Sequence, residues 1–194
     1  MRCLIILLAG PSGSGKSHLA KLSGLPILRL DNFYKAATDP DLPRLPSNQI
    51  DWDDVGTWEI DTALAALRQL SETGRTIIPV YDIKANGPTG TQEIDIGQAS
   101  AFIAEGIFAQ ALAEPCRESG LPVITIWLDR SRWGNWWRRF NRDIRQKRKP
   151  IGFLWRRGIW LCQAEPALRQ AALASEFRPL TMSQARQVVA ATHT

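Results

Sequence analysis

Residues 10–17 read Gly-Pro-Ser-Gly-Ser-Gly-Lys-Ser and fit G-x-x-x-x-G-K-[ST] at every fixed position. Glycines at that spacing let successive backbone N–H groups turn inward onto phosphate oxygens. A helix starting at the lysine adds its partial positive charge to the same point. Lys16 then reaches the β- and γ-phosphates, and the Ser17 hydroxyl is placed to ligate Mg²⁺. The context fits, because an apolar run precedes the loop and a helical stretch, 17–22, follows it. Gly10, Ser12, Gly13, Ser14, Gly15, Lys16, Ser17 and His18 are therefore the expected nucleotide-binding residues, with ATP and Mg²⁺ as the expected cofactors. The N/T-K-x-D motif of GTPases is not apparent, and the small size favours a small-molecule kinase.

A second group of residues could receive the phosphoryl. Asp31 stands at the end of the second expected strand, in Leu28-Arg-Leu-Asp-Asn-Phe-Tyr34. Ligands of open α/β sheets gather at the carboxyl ends of strands, so Asp31 and the glycine loop should face one crevice. A carboxylate there accepts the proton of an attacking hydroxyl or holds Mg²⁺. With an ordinary pKa of about 3.9 it is a weak base that orients the hydroxyl and takes the proton late. Taken alone, Asp31 reads equally as a helix N-cap.

The third group is basic. Residues 130–157 hold eleven Lys and Arg against one acid, Asp143, a charge of +10; the other residues carry thirteen basic and eighteen acidic side chains, a charge of −5. Within this segment, 133–150 read WGNWWRRFNRDIRQKRKP. Aromatics among cations are one mark of single-stranded nucleic-acid binding. On a helix, however, Trp133, Trp136, Trp137, Phe140 and Ile144 fall on one stripe, with Arg138, Arg139, Arg142 and Arg145 opposite. That segregation predicts a helix held down by its tryptophans, with arginines free to close over a triphosphate.

The elements that must position these groups follow from the apolar pattern. Buried strands are expected at 3–9, 26–30, 76–80, 101–104 and 123–128, and helices at 57–73 and 108–119. Strands alternating with helices make an α/β fold, a parallel five-stranded sheet with helices on both faces. Residues 35–56, with Pro40, Pro43 and Pro46, form a long connection of the functional kind. Residues 81–97 read as a small β-hairpin excursion around Asn86-Gly87-Pro88, and Thr181 with Gln184 makes a capping box for a last helix. At 194 residues the chain reads as one domain, 1–194, with acceptor-side insertions at 35–56 and 81–97 and a helical lid at 130–150. Cys3, Cys116 and Cys162 match no metal or disulfide framework, which points to a reducing, cytoplasmic setting. The apolar run Leu4–Leu8 is too short to span a membrane and lacks a cleavage site after it, so neither membrane anchorage nor a signal peptide is expected.

Five ordered elements besides the glycine loop resemble the uridine kinase/phosphoribulokinase family. Asp31-Asn-Phe-Tyr34 is similar to the D-S-F-Y of uridine kinases, and Asp51-Trp-Asp-Asp54 to F-D-H-P-D. Pro79-Val-Tyr-Asp82 matches P-V-Y-D, and the strand 102–107 ends in the family's E-G-I at Glu105. Arg138-Arg-Phe-Asn-Arg142-Asp143 resembles R-R-x-x-R-D. The resemblance covers residues 3–148 and implies a P-loop NTPase fold. It implies Asp31 as catalytic base for a nucleoside 5′-hydroxyl and Tyr34, Asp51 and Tyr81 as nucleoside contacts. It places Glu105 near Mg²⁺, and Arg138, Arg139 and Arg142 as lid residues on the phosphates. Two family features differ: Asn86 stands near where a histidine helps hold the base, and 150–157 replace a Q-Y-containing segment.

The expected activity is thus ATP-dependent phosphorylation of a uridine- or cytidine-like nucleoside. Between Asn32 and Ile60 only Lys35 and Arg44 face six acids, which disfavours an anionic acceptor and keeps a second neutral polyol as the alternative. A nucleic-acid-binding NTPase using 130–157 is the reading from another class. The expected partner is a small-molecule substrate rather than nucleic acid or membrane, and a homo-oligomer is left open.

Overall fold

β1 (Leu4–Ala9) is apolar throughout, and five of its six residues are buried. A strand with both faces covered must lie mid-sheet with layers on either side. β1 does so, paired in parallel with β5 (Ala101–Glu105) and β6 (Val123–Leu128). β2 (Ile27–Arg29) joins β5 and β7 (Arg178–Leu180) joins β6, giving the parallel order β2-β5-β1-β6-β7. A computed structural model describes residues 2–145 and 151–193, without the side chains of 143, 145, 151–157 and 193.

The alternation of β1 divides the core. Ile5, Leu7 and Ala9 face a cluster with Leu67 and Leu70 of α2 (Ile60–Thr73) and with the segment containing α3 (Ala113–Glu118). Ile6 and Leu8 face Leu19 and Ala20 of α1 (Lys16–Ser23), and Ala185 and Val189 of α6 (Met182–Ala190). Beyond β6, α4 (Arg132–Arg145) packs against α5 (Ile151–Ala174), a long helix interrupted internally by Pro166.

The five-stranded parallel sheet stands as expected, but its membership differs. The segment expected at 76–80 belongs to β3 (Arg75–Asp82), which pairs antiparallel with β4 (Gly87–Asp95) in a separate two-stranded sheet. Its burial explains why: Thr76 and Ile78 are buried while Ile77 is exposed, the one-sided pattern of a hairpin rather than a parallel core strand. The excursion therefore begins at 75 rather than 81. The fifth strand of the main sheet is β7, three residues with Pro179 at the sheet edge, where a missing N–H is tolerated. The stretch expected as one helix over 108–119 is a 3-10 turn, Ala109–Leu112, running into α3. The Thr181–Gln184 capping box is formed by both of its hydrogen bonds. Residues 146–150, the end of the expected lid, lie outside the described residues.

Candidate active site

The glycine loop follows directly from β1. Gly10, Gly13 and Gly15 have φ of +146°, +85° and +99°, conformations that side chains resist. Gly13 also has no room for a Cβ, which would run into the Asn135 carbonyl of α4. Lys16 is buried, and its Nζ donates to the carbonyls of Gly10 and Pro11, the latter at 3.2 Å. Burial pushes the ammonium pKa down, while Glu105 and Asp31 oppose that shift. The Ser17 hydroxyl donates to Glu105 Oε1 at 2.9 Å. Ser14 Oγ is buried without a hydrogen-bond partner among the described residues. His18 is exposed on α1.

Asp31 sits one turn beyond β2, in the 3-10 segment Leu30–Phe33. It does not cap that turn, whose N-cap is Arg29. Two contacts fix the turn. Trp58, buried, donates from Nε1 to the Leu30 carbonyl at 2.7 Å and meets Phe33 edge-on. Gly106 lies opposite, where an added Cβ would come within 2.8 Å of Leu30 Cβ and 3.3 Å of Asp31 Oδ1. The glycine of E-G-I is thus what lets the Asp31 turn approach the end of β5. The Asp31 side chain is exposed to solvent, at a surface position flanked by Glu105 and Lys16. Lost hydration and then the neighbouring Glu105 raise its pKa above the ordinary carboxylate range, against the pull of Lys16, Arg29 and Arg142.

An aromatic group continues the same wall. Tyr34 lies 5.8 Å from Trp52, 5.6 Å from Tyr81 and 5.7 Å from Phe108, ring centre to ring centre. Its hydroxyl donates to the Trp52 carbonyl at 3.2 Å. Tyr81 arrives from β3, held by its N–H donating to Asn32 Oδ1 at 3.3 Å. The two tyrosines singled out in sequence therefore do meet, and Trp52 and Phe108 complete a cluster that the sequence did not reveal. Asp51, half-buried next to Trp52, accepts the Asp53 N–H.

The basic helix is arranged differently from its helical-wheel reading. Among the described side chains of α4, Asn135 and Arg139 are the buried ones. Trp136 and Phe140 are half-buried and stacked at 5.2 Å, with Trp136 against Gly158 of α5. Trp133 and Trp137 are 60% and 56% exposed, so the aromatic stripe is only partly covered. Two arginines grip the outer side of the phosphate loop. Arg138 Nε donates to the Gly13 carbonyl at 2.8 Å, and Arg139 Nη1 to that of Ser12 at 3.2 Å. Arg142 acts electrostatically on both Lys16 and Asp31.

A cleft of about 570 Å³ opens beside the loop, lined by Arg130, Arg138, Thr181, Met182, Ser183 and Arg186, among others. Met182 closes over Gly15, and Arg130 reaches the Ser14 carbonyl at 3.5 Å. None of Arg130, Met182 or Arg186 was marked by a sequence motif; the capping box at Thr181 was the only signal in that stretch.

The model of the "Phosphoribulokinase / Uridine kinase family" matches residues 5–151. The chain belongs to this family. Several of its elements are adjacent: Ser17 of the glycine loop bonds Glu105, the Asp31 turn lies beside Gly106, and Tyr81 of β3 bonds Asn32. A uridine kinase of Schizosaccharomyces pombe is 33% identical over 151 residues, 74% of this chain and 32% of that protein. A uridine kinase of Saccharomyces cerevisiae is 33% identical over 112 residues, 54% of this chain and 22% of its own. The chain thus spans a third or less of these relatives. In three dimensions, a Silicibacter sp. TM1040 protein described as a fructose transport system kinase superposes with a TM-score of 0.59 at 16% identity. The alignment covers 93% of this chain and 89% of that one, and establishes a common fold.

The family's cofactors fit the residues present. The unpartnered Ser14 hydroxyl and the Lys16 ammonium line a loop whose outer carbonyls are taken by arginines, a donor set suited to phosphate. Ser17 and Glu105 place two hard oxygens side by side, as magnesium requires. No three His, Cys, Asp or Glu side chains cluster as a metal site among the described residues. A magnesium ion here would therefore draw its remaining ligands from the nucleotide and water.

Proposed function

We propose that the protein transfers the γ-phosphoryl group of Mg·ATP to the 5′-hydroxyl of a uridine- or cytidine-like nucleoside. The observation that carries this reading is the closeness of Asp31 to Gly106, at the end of the strand whose Glu105 bonds Ser17 of the phosphate loop. A hydroxyl beside Asp31 is then also beside the bound γ-phosphate.

In this scheme Asp31 accepts a hydrogen bond from the acceptor hydroxyl and orients its oxygen at the γ-phosphorus. The new O–P bond forms as the bond from γ-phosphorus to the β,γ-bridging oxygen breaks, and the hydroxyl proton passes to Asp31. Lys16 and the loop N–H groups hold the charge on the transferring group and on the ADP that leaves. Ser17 and Glu105 would hold a magnesium ion, which would supply neutralisation of phosphate charge. Arg142 adds positive charge from the lid. The base and ribose of ATP occupy the cleft beside Gly15, between Arg130 and the start of α6. The nucleoside lies against Tyr34, Tyr81 and Trp52, aromatic faces suited to a flat base, with the carboxylate of Asp51 within the same segment.

A panel of nucleosides and neutral polyols offered with Mg·ATP, reading ADP release, tests the proposal. Turnover of uridine or cytidine is the expected result. Turnover only of another alcohol would replace the acceptor and keep the transfer chemistry; no ADP release with any alcohol would overturn both.

A further inference from the structure

α5 carries a buried carboxylate with no place in the transfer scheme. Glu165 is 6% exposed and pairs with Asn135, which lies 30 residues earlier and is fully buried on α4. Asn135 Nδ2 donates to Glu165 Oε2 at 3.0 Å, while Oδ1 accepts from Arg138 Nη2 at 2.7 Å. Arg138 Nε in turn donates to the Gly13 carbonyl at 2.8 Å. Alongside, Arg139 spans Ser12 and Gly158, bonding a carbonyl of the loop and one of α5, each at 3.2 Å. A continuous set of hydrogen bonds thus runs from α5 through α4 to the loop.

The chemistry of the three groups makes the set directional. An ionised carboxylate only accepts, so Glu165 draws the amide nitrogen of Asn135 toward itself. The amide oxygen is thereby turned to Arg138, which only donates. Burying a carboxylate is unfavourable unless it is paired. Burial raises the Glu165 pKa on balance, opposed in part by Asn135 and by the positive charges of Arg139, Arg132 and Arg138.

We propose that Glu165 and Asn135 are positioning residues for the phosphate loop. Glu165 sets the Asn135 amide, Asn135 sets Arg138, and Arg138 holds the Gly13 peptide in the orientation that receives a triphosphate. The ligand part of this inference rests on the nucleotide reading above; the loop-holding part does not.

Glu165→Met keeps the side-chain length and removes the acceptor, whereas Glu165→Gln restores one. Hydrogen exchange of the peptide spanning 11–17, measured without nucleotide, should quicken in the Met variant and in Arg138→Met, and return toward wild type in the Gln variant. Affinity for a non-hydrolysable ATP analogue with magnesium should fall about tenfold in the Met variant. In the Arg138→Met background, adding Glu165→Met should weaken it little further, since both act on one contact. Unchanged loop exchange in Arg138→Met, or a Glu165→Met variant that loses global stability alone, would overturn the proposal. If Glu165→Met does not fold, the Arg138→Met exchange result decides. If the wild type binds no ATP analogue, the nucleotide reading fails, and exchange alone judges the inference.

Discussion

In the proposed transfer Asp31 carries the acid–base part, and its surroundings then set a pH dependence. The reactive form is the carboxylate. Lost hydration and the Glu105 charge raise its pKa, while Lys16, Arg29 and Arg142 limit the rise. A raised carboxyl pKa leaves more of the protonated, inactive form as pH falls. The acid limb of kcat/KM for the acceptor is therefore expected above the ordinary carboxylate value of about 3.9. Asp31→Asn should remove that limb and lower turnover by about 10² to 10⁴, with ATP-analogue affinity nearly unchanged. A variant that kept full turnover would show that another group takes the proton. Glu105 must remain intact in this comparison, because its charge contributes to the position of the limb.

At the scale of elements, the Asp31 turn depends on a contact from a distant segment. Trp58 follows the long 35–56 connection and returns to bond the Leu30 carbonyl. Trp58→Phe preserves an aromatic face for Phe33 and Phe108 but removes the indole donor from that carbonyl, at a cost of about 0.5–1.5 kcal/mol. Urea unfolding should register this loss, and kcat should fall while ATP-analogue affinity holds. Loss of stability without loss of kcat would show that the bond supports the fold and not Asp31. The same scale explains what the sequence made legible. The glycine loop was readable because each of its glycines answers a local backbone requirement, whereas the arginines and Met182 that pack on it come from distant segments. The order of strands and helices was readable from apolar runs, except β7, three residues with a proline, and β3, whose one-sided burial belongs to a hairpin. On α4 the period revealed which residues share a face, but not what covers it. Buried Asn135 and Arg139, and the exposed rings of Trp133 and Trp137, depend on α5 and the loop. The Asn135–Glu165 pair and the Tyr34–Trp52–Tyr81–Phe108 cluster escaped notice for a related reason. Each joins residues far apart in sequence, and none carries a spacing that marks it.

For the whole molecule, the charge is divided in a way that bears on rate. Residues 130–157 carry +10 and the remainder −5. The acceptor-side stretch between Asn32 and Ile60 is itself acidic, with six carboxylates against Lys35 and Arg44. Arg130 and Arg138 line the cleft beside the loop, and Arg142 acts on Lys16 and Asp31, so these three described cations stand where a triphosphate is proposed to enter. A nucleotide anion approaching that side is steered inward, while a neutral acceptor gains nothing from the field. Raising ionic strength from about 0.01 to 0.15 M shortens the screening length from about 30 to 8 Å. kcat/KM for Mg·ATP should therefore fall across that range, while kcat/KM for the acceptor at saturating ATP stays nearly flat. Equal slopes for the two substrates would mean that salt acts on the fold or on the chemical step. A steep slope for the acceptor alone would mean that the acceptor is itself an anion, and the neutral-nucleoside reading would fall with it.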